Sequence, residues 1–578
     1  MFVFDYFDKV LISYFRHNND RKCCANCIRR RFLNSRKDRQ YLIHDNNFQF
    51  STDFVSEQLS WIIESIWAIL ELDECLIDFN NRRKVLILDK MTLQLETVYC
   101  NSFPDCESCG TLPVDSLSNA HNLGEVFKKL LSTPLQLRSK SSVEFGQQLE
   151  NLVLEKNVGI ITCLLDYYEG TFPNAVAMLP LENGKDEPGT GRTSSLVKSR
   201  AVAMLEAMER YAGFRPRGKK TIIYESYNSL KEKGLPVINP YELILNENSL
   251  SNIGTTANSK FKFENNKSYH WVYGYDVLNE EPILLPETYI YYGLTLKSKE
   301  YNSEIFVYEV SNGCATGSNI LESSYFGLLE VIERDNFLTA WYTDRDITEI
   351  IYTDVVYNSE LEESLKNFFF KYSDFDLHFF DISTELSAIT ILCTIERKIP
   401  DKKKMNFMCA AASDFNIEEA MNRALHEITS IFYGLEKRFE EEYEEISYKS
   451  NDMTLIHTMD DHSLVYGCYD KLSEIRFREQ ATSQRKISDY LRDYNSINNC
   501  YEVLLQELRA LNKKILIFDQ TTEEMRQVGL FCTKTVVPGL LPMTFGYNNL
   551  RVSKERIEEL EKCTGRKLEL TFLAHPFP

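Results

Sequence analysis

The chain has 578 residues, a formal net charge of −20 and 43% hydrophobic residues. That length allows several domains, and the acidic balance argues against nucleic acid as a partner. The first residues, MFVFDYFDKV, carry acids where an export signal needs bases, so the 15 cysteines are expected as reduced thiols or metal ligands in the cytoplasm.

The opening stretch, residues 1–45, is basic, with Lys22, Arg29, Arg30, Arg31, Arg36, Lys37 and Arg39 close together. It reads as a solvated face or a docking surface. Within it lies Cys24-x-x-Cys27, and much later comes Cys106-x-x-Cys109. Two such knuckles in a reduced protein point to a tetrahedral Zn²⁺ site, with Cys23 and Cys100 as substitute ligands and free structural thiols as the alternative. The apolar stretch Ser60 to Ile77 is broken by Glu64, Glu71, Asp73 and Glu74, so it reads as a packed helix and not a membrane span. Lys84 to Asp89 reads as a buried strand, and Met91 to Val98 alternates like a half-buried one. Residues 111–140, rich in Ser, Asn, Leu and Lys, read as containing a linker.

From about residue 141 strand-like runs alternate with helical ones. Strands are expected at Val158–Leu165, Thr221–Tyr224, Ile305–Val310, Ala388–Ile395 and Ile515–Phe518, and helices at 197–212, 320–341, 417–435 and 554–562. This is the pattern of a mixed α/β or α+β catalytic domain. Gly189-Thr190-Gly191-Arg192-Thr193 resembles half of a phosphate loop but lacks the Gly-Lys-[Ser/Thr] ending. Its amides and Arg192 are candidates for holding phosphate at a helix start. The helix that follows carries Glu206, Glu209 and Arg210. A second helix, opened by the turn Asn312 to Asn319, repeats the signature Glu-x-x-Glu-Arg as Glu330, Glu333 and Arg334. On that helix Glu322, Glu330 and Glu333 share one arc, and Leu321, Leu328, Val331 and Ile332 occupy the other. Two glutamate faces across a site would repel unless cations lay between them, and hard oxygen ligands suit Mg²⁺ carrying nucleotide phosphates. Two surface helices with Glu–Arg pairs would read the same way. A third helix bears Arg423 and Glu427 at the spacing of a surface ion pair. The acidic run Glu440–Glu445 reads as solvated. The end, His575-Pro576-Phe577-Pro578, is a stiff arm that either frays or presents the terminal carboxylate.

Several segments together, GRTSSLVKSRAVAMLEAMERY (191–211), SNGCATGSNILESSYFGLLEVIERDNFLTAW (311–341), NRALHE (422–427), VVPGLLPMTFGYNNLR (536–551) and HPFP (575–578), resemble the YcaO-domain cyclodehydratases that install azoline rings in ribosomal peptides. The N-terminal cysteines, the basic run and VLILDKMTLQLETV resemble the zinc-bearing end of a ThiF-like (ubiquitin-activating-type) domain. The resemblance implies an α/β fold: a YcaO-type ATP-binding domain at 141–578, preceded by a small zinc-bearing α/β remnant of a ThiF-like domain at 1–115 and a linker at 116–140.

Carried over residue by residue, Glu206, Glu209, Glu330, Glu333 and Glu427 match the family's Mg²⁺ ligands. Glu322, Arg192, Arg210, Asn312, Ser318, Arg334 and Arg423 join them around ATP. Two positions depart from the pattern: Val202 stands where the family has Ser, and Ser318 where it has Asn. Each would remove or shorten a polar contact to ATP, at a cost of about 1.5–3 kcal/mol.

The implied reaction is cyclodehydration of Cys, Ser or Thr in a precursor peptide, with ATP phosphorylating the amide-derived oxygen and the carboxylate of Pro578 as base. A thioamide-forming YcaO enzyme and a non-catalytic nucleotide-binding scaffold are the rivals. The resemblance further implies a separate leader-peptide-binding partner, because no winged-helix segment is recognisable, together with an azoline dehydrogenase and room for a homodimer. The setting would be thiazole/oxazole-peptide, thiopeptide or bacteriocin biosynthesis.

Overall fold

The computed structural model describes residues 2–15, 22–37, 57–73, 75–133, 141–168, 171–245, 249–250, 262–294, 304–357, 359–490 and 496–578. Arg39 of the basic run, Glu74 and residues 134–140 lie outside the described residues.

The N-terminal region is built on a four-stranded antiparallel sheet in the order Phe2–Tyr6, Lys9–Ser13, Arg83–Asp89, Leu95–Cys100. Period-two alternation explains its apolar run. Val85 and Ile87 face Phe4, Tyr6, Leu11 and Phe32, the last from helix Ala25–Ser35. Leu86 and Leu88 face Ile63, Ile66 and Leu70 of helix Glu57–Leu72. The strand expected from Met91 begins only at Leu95. Asp89 accepts hydrogen bonds from the Met91 and Thr92 amides at 3.0 and 2.9 Å, which folds 89–93 into a turn with Leu93 at φ 59°.

The basic run docks this region on the rest of the chain. Arg30 reaches Glu182 at 2.6 Å, and Arg31 donates to the Tyr211 hydroxyl at 3.3 Å. Much of the stretch read as a linker is helical. Leu117–Leu131 is capped by the Ser116 hydroxyl, which accepts from the Asn119 amide, and it buries Ala120 and Phe127. Serine at its start acts as an N-cap, not as a loop marker.

Three further sheets follow. A three-stranded antiparallel sheet, Cys163–Tyr167, Asn174–Pro180 and Asp186–Arg192, backs the first glutamate helix, Leu196–Gly213. A six-stranded sheet contains Ser268–Asp276, Leu516–Asp519, Phe531–Val536 and Cys314–Gly317. A five-stranded sheet runs Phe407–Asp414, Ile389–Arg397, Phe375–Asp381, Ile347–Ile351, Ala481–Lys486. Among the named strand pairs only Ile347–Ile351 with Ala481–Lys486 is parallel.

The second glutamate helix, Ile320–Tyr342, is wedged between these two larger sheets. Leu321, Leu328 and Ile332 pack with Tyr275, Ile515 and Ile517, whereas Phe337, Leu338 and Trp341 pack with Phe380, Leu392 and Phe407. The third helix, Ile417–Glu441, covers the five-stranded sheet with Met421, Leu425, Ile428 and Phe432.

Two expected strands differ. Val158–Ile161 is a buried turn, and that strand starts at Cys163. Ile305–Val310 forms no strand, because Glu309 is drawn into a buried cluster with Lys534 and Arg551. No helix among the described residues is long and apolar enough to cross a membrane.

Candidate active site

The first glutamate helix lies unusually close to strand Asp186–Arg192. A Cβ at Gly189 would sit 2.3 Å from the Ala207 amide, and one at Gly191 1.7 Å from the Ser199 carbonyl oxygen. Glycine is therefore required for strand–helix contact. The segment read as half a phosphate loop is a strand, and its Thr190 amide and hydroxyl donate to Glu206 at 2.6 and 2.9 Å. Arg210 grips the other Glu206 oxygen at 2.8 Å and also pairs with Glu187.

The second helix is set by its turn. Gly313 has φ +73°, and a Cβ there would lie 2.1 Å from the Thr535 carbonyl oxygen. Its amide donates to Glu330 at 3.1 Å. The Asn319 side chain caps the helix by accepting from the Glu322 amide, and the Ser318 amide and hydroxyl both donate to the Glu322 carboxylate. Glu333 accepts from the Ser413 amide at 3.0 Å, and Arg334 lies between Glu333 and Glu330, at 3.3 and 3.5 Å. On the third helix Arg423 pairs with Asp414 at 3.2 Å, in place of the expected Glu427. The Asn312 amide group donates to the Met543 carbonyl at 2.9 Å.

These elements enclose a cavity of about 1660 Å³. Arg192, Glu206, Glu209, Arg210, Asn312, Ser318, Glu322, Glu330, Glu333, Arg334, Arg423, Glu427 and Pro578 all line it, as does Val202. The charge is not balanced within it. Burial, then Glu330 and Glu206, push the Glu209 carboxyl well above its usual range. Burial also raises Glu330, and it raises Glu333 to about 7 despite Arg334. Glu206 alone of the four is lowered: burial opposes this, but Arg210 and Arg192 outweigh it.

Carboxylates crowded round one cavity, three of them raised above their usual range, suit a bound cation. No three of these carboxylates among the described residues come within 4.8 Å of one another, which only Cys24, Cys27, Cys106 and Cys109 do. The glutamates thus suit Mg²⁺ that shares its ligands with phosphate oxygens, its common mode of binding.

In the cysteine group the Sγ atoms of Cys24 and Cys27, Cys24 and Cys106, and Cys27 and Cys109 are 3.8, 3.6 and 3.3 Å apart. A tetrahedron with Zn–S bonds of about 2.3 Å has edges of about 3.8 Å, so four thiolates here fit zinc. Cys23 and Cys100 pair with each other instead, and burial first, then Cys100, raises the Cys23 thiol well above its ordinary value.

Residues 190–541 match the family described as YcaO cyclodehydratase, ATP- and Mg²⁺-binding. The chain belongs to the YcaO family. As a YcaO cyclodehydratase it is an ATP-dependent enzyme that binds ATP and Mg²⁺. No curated protein matches it. Among solved structures it is similar to a heterocyclase in complex with substrate and cofactor, with 17% identity, 92% of this chain and 71% of that one covered, and a TM-score of 0.65. It is also similar to the heterocyclase TruD, with 16% identity, 95% and 73% covered, and a TM-score of 0.56. At these identities the likeness is one of fold.

The YcaO sequence does not announce Glu187, which lines the cavity, or the buried residues behind its wall that hold the tail. Glu187 faces Arg210 from a strand in which glycine obscures the pattern. His462 holds the tail: its Nδ1 bonds the His575 carbonyl at 2.7 Å, its Nε2 accepts from the Gly546 amide at 2.9 Å, and its ring stacks on His575 at 4.2 Å. Phe577 is fully buried against Phe337, with the Arg334 guanidinium 4.5 Å over its ring. The tail is thus packed, not frayed, and ends at the cavity wall.

Proposed function

We propose that this YcaO protein converts Cys, Ser or Thr of a ribosomally made precursor peptide to thiazoline or oxazoline. One feature carries the reading above all: Glu206, Glu209, Glu330, Glu333 and Glu427 line the same cavity as Pro578, the end of a packed tail. In the reaction the substrate thiol or hydroxyl attacks the preceding peptide carbonyl. The resulting oxygen takes a phosphoryl group from ATP, and loss of phosphate leaves the ring.

The five glutamates would hold Mg²⁺, which when bound supplies charge neutralisation for the phosphates. Arg210, Arg334 and Arg423 orient the phosphates, with Arg192, Asn312, Ser318 and Glu322 completing the nucleotide site. Ser318 already donates its hydroxyl to Glu322, so in this chain it positions a carboxylate beside ATP. The terminal carboxylate at Pro578 takes the proton released as the ring closes. An ordinary terminal carboxylate is a weak base, with a pKa of about 3.5, so efficient proton transfer requires the closed site to raise it.

The N-terminal region, residues 1–115, is the zinc-bearing remnant of a ThiF-like domain, with zinc on Cys24, Cys27, Cys106 and Cys109; the distances between these sulfurs support this. Residues 116–140 connect it to the catalytic domain, 141–578. Leader recognition and ring oxidation belong to separate partners in the cytoplasm. Mass spectrometry of a candidate precursor incubated with this protein, its partner and Mg–ATP tests the reading. Loss of one water per residue is the expected result. Exchange of oxygen for sulfur would make the enzyme thioamide-forming, and an unchanged peptide with no phosphate release would make it a scaffold.

A further inference from the structure

Where the zinc-bearing region meets the catalytic part there is a second, small cavity of about 50 Å³. A single water needs roughly 10–15 Å³, so this space takes several waters or one tetrahedral oxyanion. Arg31, Asn34, Arg215 and Arg217 line it, together with Tyr211 and Glu182. The three arginines are buried, with exposures of 4, 6 and 6%.

Their carboxylate partners are few. Glu182, the carboxylate of the lining, is already held by Arg215 at 2.8 and 3.2 Å and by Arg30 at 2.6 Å. Asp105 stands 3.5 Å from Arg215, and Glu524 acts on Arg31 only as a weaker, more distant charge. Arg31 donates to the Asn101 and Ser102 carbonyls and to the Tyr211 hydroxyl. Arg217 has no carboxylate within ion-pair distance among the described residues. Its guanidinium donates to the Tyr211 carbonyl and lies 4.0 Å over the Tyr211 ring.

The Nε groups of Arg215 and Arg217 are buried without a hydrogen-bond partner. Burial, then the neighbouring Arg215, pulls Arg217 down to about 9. Leaving a buried cation short of hydrogen bonds is costly, and planar guanidinium forks match oxyanions.

We propose that this cavity is a binding site for a small tetrahedral oxyanion of the size of inorganic phosphate, held by Arg215 and Arg217 with Arg31 and Asn34. The space takes the oxyanion itself and not a base and sugar as well, so the ligand assigned to it is a free oxyanion. Tyr211 directly follows Glu209 and Arg210 in the first glutamate helix, so an anion here braces the end of the helix that carries two of the cavity's glutamates.

The test is equilibrium dialysis of the full chain against radiolabelled orthophosphate, without nucleotide, in chloride at fixed ionic strength. Saturable binding of one phosphate per chain is expected, competed by sulfate but not by AMP. Arg217→Met should weaken it at least about tenfold, the scale of a lost charge-assisted hydrogen bond, and Glu330→Gln, in the large cavity, should leave it unchanged. If Arg217→Met does not fold, Asn34→Phe fills the space while keeping every guanidinium and must abolish binding by itself. Absence of saturable binding, competition by AMP, or binding lost in Glu330→Gln and kept when the small cavity is altered would overturn the proposal.

Discussion

Glu333 makes the clearest quantitative case. It is buried at the cavity wall, and its carboxyl is raised from an ordinary 4.5 to about 7, burial being the main cause. A carboxyl whose folded pKa exceeds its unfolded one contributes stability that is complete below the unfolded value. That stability is lost as pH rises through the folded value. Between about pH 5.5 and about pH 8 the wild-type protein, free of metal and nucleotide, should therefore lose about 2 kcal/mol relative to Glu333→Gln, whose side chain does not titrate. Gln keeps an acceptor for the Ser413 amide, so packing is little disturbed. Denaturant unfolding in chelator, followed by near-UV circular dichroism at the two pH values, measures the difference. Glu333→Gln should be the more stable protein at the higher pH and should not turn over ATP. Parallel pH dependence in the two proteins would refute the claim that an unneutralised carboxylate is stored at this position.

Glu206→Ala and Glu330→Ala should likewise abolish ATP turnover with little change in circular dichroism, because a Mg–phosphate site loses several kcal/mol of charge stabilisation with a ligand; near-normal turnover in both would move the site. Metal analysis should find about one zinc per chain, absent from a Cys106→Ser/Cys109→Ser double variant, and a folded wild-type protein free of zinc would contradict the cysteine assignment. Residues appended after Pro578 should lower ring formation about 10²–10⁴-fold with ATP binding retained. Deleting Phe577 and Pro578 should do the same, and near wild-type cyclisation by both would discard the tail carboxylate as base.

Much of the cavity's lining is legible in the sequence because its carboxylates stand at helical spacing. Glu206 with Glu209, and Glu330 with Glu333, are three residues apart, and the apolar residues between them set which face is buried. The cysteine pairs are legible for a similar reason: a knuckle needs only local spacing.

What escapes is whatever depends on distant partners. Strand Asp186–Arg192 reads as a loop because glycine normally weakens strands, yet Gly189 and Gly191 are what let a helix lie against it. His462 and His575, 113 residues apart, meet only in the fold. Glu309 breaks an apparent strand because it answers Lys534 and Arg551, neither of them near it in sequence. Leu117–Leu131 does not read as a helix because its composition is mixed, and its helical face appears only once Ala120 and Phe127 find a core.

In the reaction proposed for this cavity, ATP activates the peptide's own amide oxygen. The most direct measurement uses a precursor whose backbone carbonyl before the reacting Cys carries oxygen-18, incubated with this protein, its partner and Mg–ATP, with the released phosphate analysed by mass spectrometry. Each ring formed should transfer the heavy oxygen to phosphate. Rings formed with unlabelled phosphate, and the heavy oxygen found in water, would contradict it.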